Sequence, residues 1–295
     1  MTNRPLTETA AGNDTPSGDD HILPQTRAVA ALVVPVLIVA FVILYLLPQQ
    51  TGQLFAWGIK PPMSAMMLGG TYLGGAYFFT RVFLGKRWHT IKLGLPAVGA
   101  FVTYLGIATI LHWGNFNHGH ISFYLWTFLY FTFPFLLPVV WLWNRSADPG
   151  TSAADDVQIS SVIRLILAIV SGVLLVFSLI LLLLPTLIIP AWPWVLSPLT
   201  ARVMAAMFVL PAIVGAGIAL DGRWSAARII VEAQGFAIIL ILGAVIRATD
   251  QFDWSRSSSW AFAGGMTAFA VALLVMYAAM ERHWGRRQSG GQTAR

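Results

Sequence analysis

Eight separate stretches of this chain are each apolar for about 20 residues, the length a helix needs to cross roughly 30 Å of hydrocarbon. They run from Ala28 to Leu47, Met63 to Leu84, Ile91 to Leu111, Ile121 to Trp143, Val162 to Leu184, Leu199 to Leu220, Ala226 to Ile246 and Ser259 to Met280. No other feature limits the fold so severely, because backbone inside a bilayer must satisfy its hydrogen bonds within a helix or a closed barrel. The runs are continuously apolar and lack the alternation of barrel strands, so helices are expected. Only 10% of the residues are charged, against about a quarter in soluble domains, which agrees with an all-α, polytopic membrane protein.

The eight runs read as two copies of one four-helix unit. Leu47, Pro48, Trp57 and Pro61 return as Leu184, Pro185, Trp194 and Pro198, always 137 positions on, and Arg27 returns as Arg164 at the same offset. Arg87, Trp88 and Phe116 match Arg223, Trp224 and Phe252 at an offset of 136, which places one deletion inside the second run. An even number of spans per copy makes the repeats parallel, so a pseudo-two-fold axis along the membrane normal is predicted. The organisation expected is a disordered tail over 1–26, repeat A over 27–143, a polar linker over 144–160, repeat B over 161–283 and a basic tail over 284–295.

Of the 18 Lys and Arg, 14 fall in the two tails and the 2–3, 4–5 and 6–7 connections, leaving Lys60, Arg202, Arg247 and Arg256 on the other side. That bias puts both termini in the cytoplasm of a multi-pass protein of the plasma membrane. The net charge of +6 is thereby explained by topology, and no motif for nucleic acid accompanies it. Cysteine is absent, which excludes disulfides, thiolate metal sites and cysteine nucleophiles. The connectors carrying Trp57, Trp192 and Trp194 are expected to lie flat at the headgroup level, where indole rings are favoured.

Few polar residues could carry chemistry. Glu232 in the seventh run is a carboxylate in hydrocarbon, with Arg228 one turn earlier on the same face and Gln234 about 200° round the helix. These three are candidates for a substrate or partner site, with an i,i+4 ion pair as the structural alternative. Gly70 and Gly74 share a face of the second run, as Ala212 and Ala216 do in the sixth, and both faces suit close helix packing. His112, His118 and His120 on one outer loop and Asp250 and Asp253 on its counterpart could supply metal ligands, although no defined ligand spacing is present. No nucleophile elbow, P-loop or dinucleotide fingerprint occurs, so no catalytic residue and no cofactor is implied.

Two functions remain in view and a third stands behind them. A transporter or permease would pass a small or hydrophobic molecule between the repeats. A non-catalytic scaffold or accessory subunit would instead hold lipid or a membrane-protein partner on its small-residue and aromatic faces. A lipid-acting enzyme would use the outer His/Asp residues. A continuous polar cavity at Glu232, Arg228 and Gln234 would favour transport, and apolar packing between the halves would favour the scaffold.

Overall fold

The computed structural model describes residues 19–150 and 156–292, and among these the protein is helical, with two isolated β-bridges and no strand. Eight long helices follow one another: α1 (Pro24–Phe41), α2 (Pro62–Leu84), α3 (Gly94–Leu111), α4 (Ile121–Asn144), α5 (Ser161–Leu183), α6 (Pro198–Asp221), α7 (Trp224–Arg247) and α8 (Ser257–Gln292). Seven of them, all but α2, are long and apolar enough to cross a membrane. The exception has a physical cause. α2 carries Gly69, Gly70, Gly74 and Gly75 with Thr71, Thr80 and Arg81, and most of its residues are buried against other helices. A helix screened from lipid by protein need not be uniformly apolar.

Local signals set the boundaries. Proline occupies the first turn of α1, α2 and α6, where its missing N–H costs nothing. Ser160 and Ser197 accept from the backbone N–H groups of Ile163 and Thr200 and so cap α5 and α6. α6 ends at Gly222, whose φ of 77° is left-handed, and α7 starts two residues later.

The hairpins of the two halves interleave. α1 packs on α2, α2 on α7 and α7 on α8, while α5 packs on α6, α6 on α3 and α3 on α4. α2 also touches α6, so these two helices sit at the centre. At Gly74, an added Cβ would lie 2.7 Å from the carbonyl oxygen of Ala233, and one at Gly70 would lie 3.1 Å from Leu240. The glycines therefore set how closely α2 and α7 approach. Ala212 is fully buried and Ala216 half-buried, and of the two glycines within that helix Gly215 is the more tightly placed, abutting Ser171 of α5.

Three expectations change. Residues 19–26 are ordered: Asn144, buried at the end of α4, accepts from the Leu23 N–H and the Thr26 hydroxyl and donates to the His21 carbonyl. The rest of the expected tail, 1–18, lies outside the described residues, as do 151–155 of the linker. At the other terminus, α8 continues through the expected tail as far as Gln292. The third concerns the tryptophan connectors, which fold inward. Trp57 is buried with its ring centroid 4.8 Å from Trp126 and 5.1 Å from Phe116, and Trp194 lies 5.0 Å from both Phe252 and Phe262. Their indoles are buried among aromatic side chains brought by neighbouring helices, which offer close ring packing.

Candidate functional site

Glu232 lies on the third turn of α7, about 12 Å from the start of the helix at 1.5 Å per residue. Its first partner comes from another helix: Arg81 of α2 donates from Nη1 to Oε2 at 2.7 Å. Tyr77, one turn before Arg81, donates to the same oxygen and accepts from Arg81 at 2.6 Å. Tyr277 of α8 donates to Oε1 at 3.0 Å. Arg228, the partner expected from the sequence, places Nε 3.3 Å from Glu232 Oε1 and 3.1 Å from Glu281 Oε1, without directing a hydrogen at either. Its guanidinium stacks over Trp284 at 5.1 Å. Two arginines thus face two glutamates, and both Glu232 oxygens are hydrogen-bonded. The cluster staples α2, α7 and α8 together, with the carboxylate accepting three hydrogen bonds from Arg81, Tyr77 and Tyr277.

Gln234 faces elsewhere. It borders a cavity of about 120 Å³ between α1, α2, α3, α4, α6 and α7, whose walls are almost wholly apolar. On its other side it borders a second apolar cavity of about 340 Å³ between α2, α5, α6, α7 and α8. Gln234, Thr71, Leu210 and Ala237 line both. The first cavity contains one polar pair, Tyr72 of α2 and Tyr130 of α4, whose hydroxyls are 2.5 Å apart. Glu232, Arg228 and Gln234 therefore do not share a continuous polar cavity. The first two join a staple at one end, and the third lies on the wall between two apolar chambers.

The five outer residues are scattered. His112 accepts from Arg202 of α6 at 2.8 Å, and burial, then the guanidinium, hold its imidazole below the usual range. His118 packs edge-on against Phe123, and His120 caps α4 through Ser122. Asp253 is exposed and is held below its ordinary carboxyl range by the Ser255 hydroxyl and by Arg256, while Asp250 is exposed in a turn. Among the described residues no three His, Asp or Glu side chains are placed to share a metal ion.

A second network went unread in the sequence. Lys92, in the α2–α3 connector, lies 2.5 Å from Asp148, beyond α4, and 2.5 Å from Asp221, at the end of α6. Arg223 bridges the same two carboxylates at 2.8 and 2.7 Å. Burial pushes the Asp148 carboxyl up, but hydrogen bonds from Arg223 and Lys92 outweigh it and hold it well below the ordinary range. One signal was available: Lys92 and Arg228 are 136 positions apart, the spacing that also separates Arg87 from Arg223, and each lies in one of the two networks. Tyr77 and Arg81, four apart on one face of α2, were a second. Comparison with models of protein families, with curated proteins and with solved structures gives no match.

Proposed function

We propose that the chain is an eight-span protein of two parallel four-helix repeats, both termini cytoplasmic in the plasma membrane, which binds and passes a hydrophobic molecule between the repeats. The repeat reading is supported by pairs of bonds that recur at the sequence offsets. The bridge His21–Arg87 has a counterpart in Gln158–Arg223. Asn117 N–H donates to Ala56 O as Asp253 N–H does to Pro193 O. The cage of Phe55, Trp57, Phe116 and Trp126 likewise matches that of Trp192, Trp194, Phe252 and Phe262. α2 counts as the eighth span because 23 residues reach about 34 Å.

The observation that carries the binding reading is the pair of apolar cavities. Val33 and Leu37 line the first, and Val170 and Leu174, each 137 positions on, line the second. Such walls suit a mainly apolar molecule and offer a charged solute no countercharge. The test is native mass spectrometry of the detergent-purified protein. An apolar molecule should be retained, and Leu37→Trp and Leu174→Trp should each reduce its amount, each filling one cavity. Absence of any such molecule, or retention unchanged in the double variant, overturns the reading. Flux of a fluorescent hydrophobic probe into proteoliposomes then separates passage from simple binding.

The scaffold reading has one observation of its own. The apolar stretch of α8 has none of its most hydrophobic window buried, and Trp260, Val271, Leu274 and Val275 are exposed. Lipid covers such a face as readily as a partner helix does. Dimeric or hetero-oligomeric mass in the same spectra would favour the scaffold.

A further inference from the structure

The first cavity is apolar but not featureless, and its few polar atoms are of one kind. Thr71 donates to the carbonyl of Met67 on its own helix at 3.0 Å, which uses its hydrogen. Tyr72 and Tyr130 share a single hydrogen bond. Two hydroxyls bring two hydrogens, and a bond between them uses one. The second has no acceptor among the described residues. Gln234, in the wall shared with the second cavity, has its Nε2 buried and also without an acceptor among the described residues. Two donors thus lie on residues that border one small apolar space, with nothing among the described residues to receive them. Buried donors of this kind cost stability unless something accepts from them.

The charges say what that acceptor is not. No Lys, Arg, His, Asp or Glu lines the cavity. Glu232 lies two positions before Gln234, hence about 200° round α7, and is engaged by Arg81, Tyr77 and Tyr277. A carboxylate or phosphate placed beside Gln234 would be buried without a countercharge, and a cation would meet two donors. What fits is an uncharged apolar skeleton bearing a carbonyl oxygen.

The second cavity shares Gln234 but lacks the two tyrosines. At the repeat offsets Val209 stands for Tyr72, Met266 for Tyr130, and Gln234 itself for Val98. Only one of the two chambers therefore carries the donor pair, which is the feature that distinguishes a ligand site from a packing defect repeated by symmetry.

We infer that the cavity between α1, α2, α3, α4, α6 and α7 binds an uncharged apolar molecule through a carbonyl oxygen that accepts from Gln234 Nε2 and from the Tyr72–Tyr130 pair. The inference rests on the proposed binding of hydrophobic molecules and adds the chemical class. Two sources offer that group, the ester carbonyl of a membrane lipid and the ring carbonyl of an isoprenoid quinone.

The experiment uses the full chain in nanodiscs and two probes of similar size, decylubiquinone, which has ring carbonyls, and decylbenzene, which has no acceptor. Binding of each is measured by equilibrium partitioning against empty nanodiscs. Decylubiquinone should bind about tenfold more tightly than decylbenzene, the effect expected of donors that would otherwise stay unpaired. Gln234→Leu and Tyr130→Phe should each remove most of that preference while leaving decylbenzene unchanged. Tyr130→Phe also removes the bond between the two hydroxyls and should lower the melting temperature of the ligand-free protein, whereas Gln234→Leu removes a buried donor without an acceptor and should not; a fall with Gln234→Leu would show the amide to be held within the protein and would overturn its role as a ligand donor. Weaker decylubiquinone binding in diester than in diether lipid assigns the site to the ester carbonyl, and equal binding assigns it to a quinone. Equal affinity for both probes in the wild type overturns the carbonyl inference and leaves apolar binding standing. Failure of either probe to bind above empty nanodiscs overturns both.

Discussion

Asn144 makes three hydrogen bonds to the segment that leads into α1, from a position with no exposed surface. Asn144→Ala leaves the Leu23 N–H, the Thr26 hydroxyl and the His21 carbonyl without that partner. Water reaching the segment would recover part of the loss, so a cost of about 2–3 kcal/mol is expected. It should appear as faster proteolysis just before Pro24. The residue sits in no motif, and nothing in its neighbourhood of the sequence marks it, because its partners are more than a hundred positions away. Glu232 was legible as an unusual residue, but its strongest partner was not: Arg81 reads as a loop-side charge until α2 is laid against α7. Glu232→Gln removes the countercharge of Arg81 and Arg228, both about one-third exposed, and should cost about 1–2 kcal/mol, less than a fully buried pair. Thermal unfolding in detergent measures it. Asp148 gives a pH dependence. Its folded-state value lies below the ordinary 3.8, so its contribution is complete above that pH and is lost as the pH falls further. Stability of the wild type should drop in this range, and Asp148→Asn should show a smaller drop.

Among the elements, α1 ends at Phe41, short of Leu47, and α8 runs past Met280 to Gln292, whereas α2 to α7 were readable to within a few residues because apolar run length is a strong signal in a membrane chain. The connectors were not. Tryptophan and proline in a short apolar segment suit an interfacial anchor and a buried aromatic cap equally, and only the arrival of Phe116, Trp126, Phe252 and Phe262 from other helices decides between them. The glycine face of α2 was read as a packing surface, but its partner α7 could not be named from sequence. That partnership makes a sharp prediction. Gly74→Leu has to displace the backbone at Ala233 and should prevent α2 and α7 from closing, with loss of monodisperse protein on size-exclusion chromatography. Gly99→Leu, at a position with open space around it, should have little effect.

For the whole molecule, the interleaving matters more than the number of helices. Each half gives its first two helices to the other half's third and fourth. Fragments 1–150 and 156–295 expressed separately should therefore be degraded, and expressed together they should assemble into one species that copurifies through a tag on either. Independent stability of one fragment would contradict the interleaved packing. The two aromatic cages give a paired test: Trp57→Ala and Trp194→Ala, each buried among aromatic rings, should each cost about 3–5 kcal/mol. Unequal losses would show that the cages, though alike in composition, are not alike in mechanical role.

The contact between α2 and α7 also bears on how the chain is made. Translation delivers α2 to the bilayer well over a hundred residues before α7 emerges, so its Gly70–Gly74 face and Arg81 wait without their partners. Newly synthesised chains stalled before Trp224 should therefore be held by the insertion machinery or by another membrane protein, and should be released only when the seventh helix has left the ribosome.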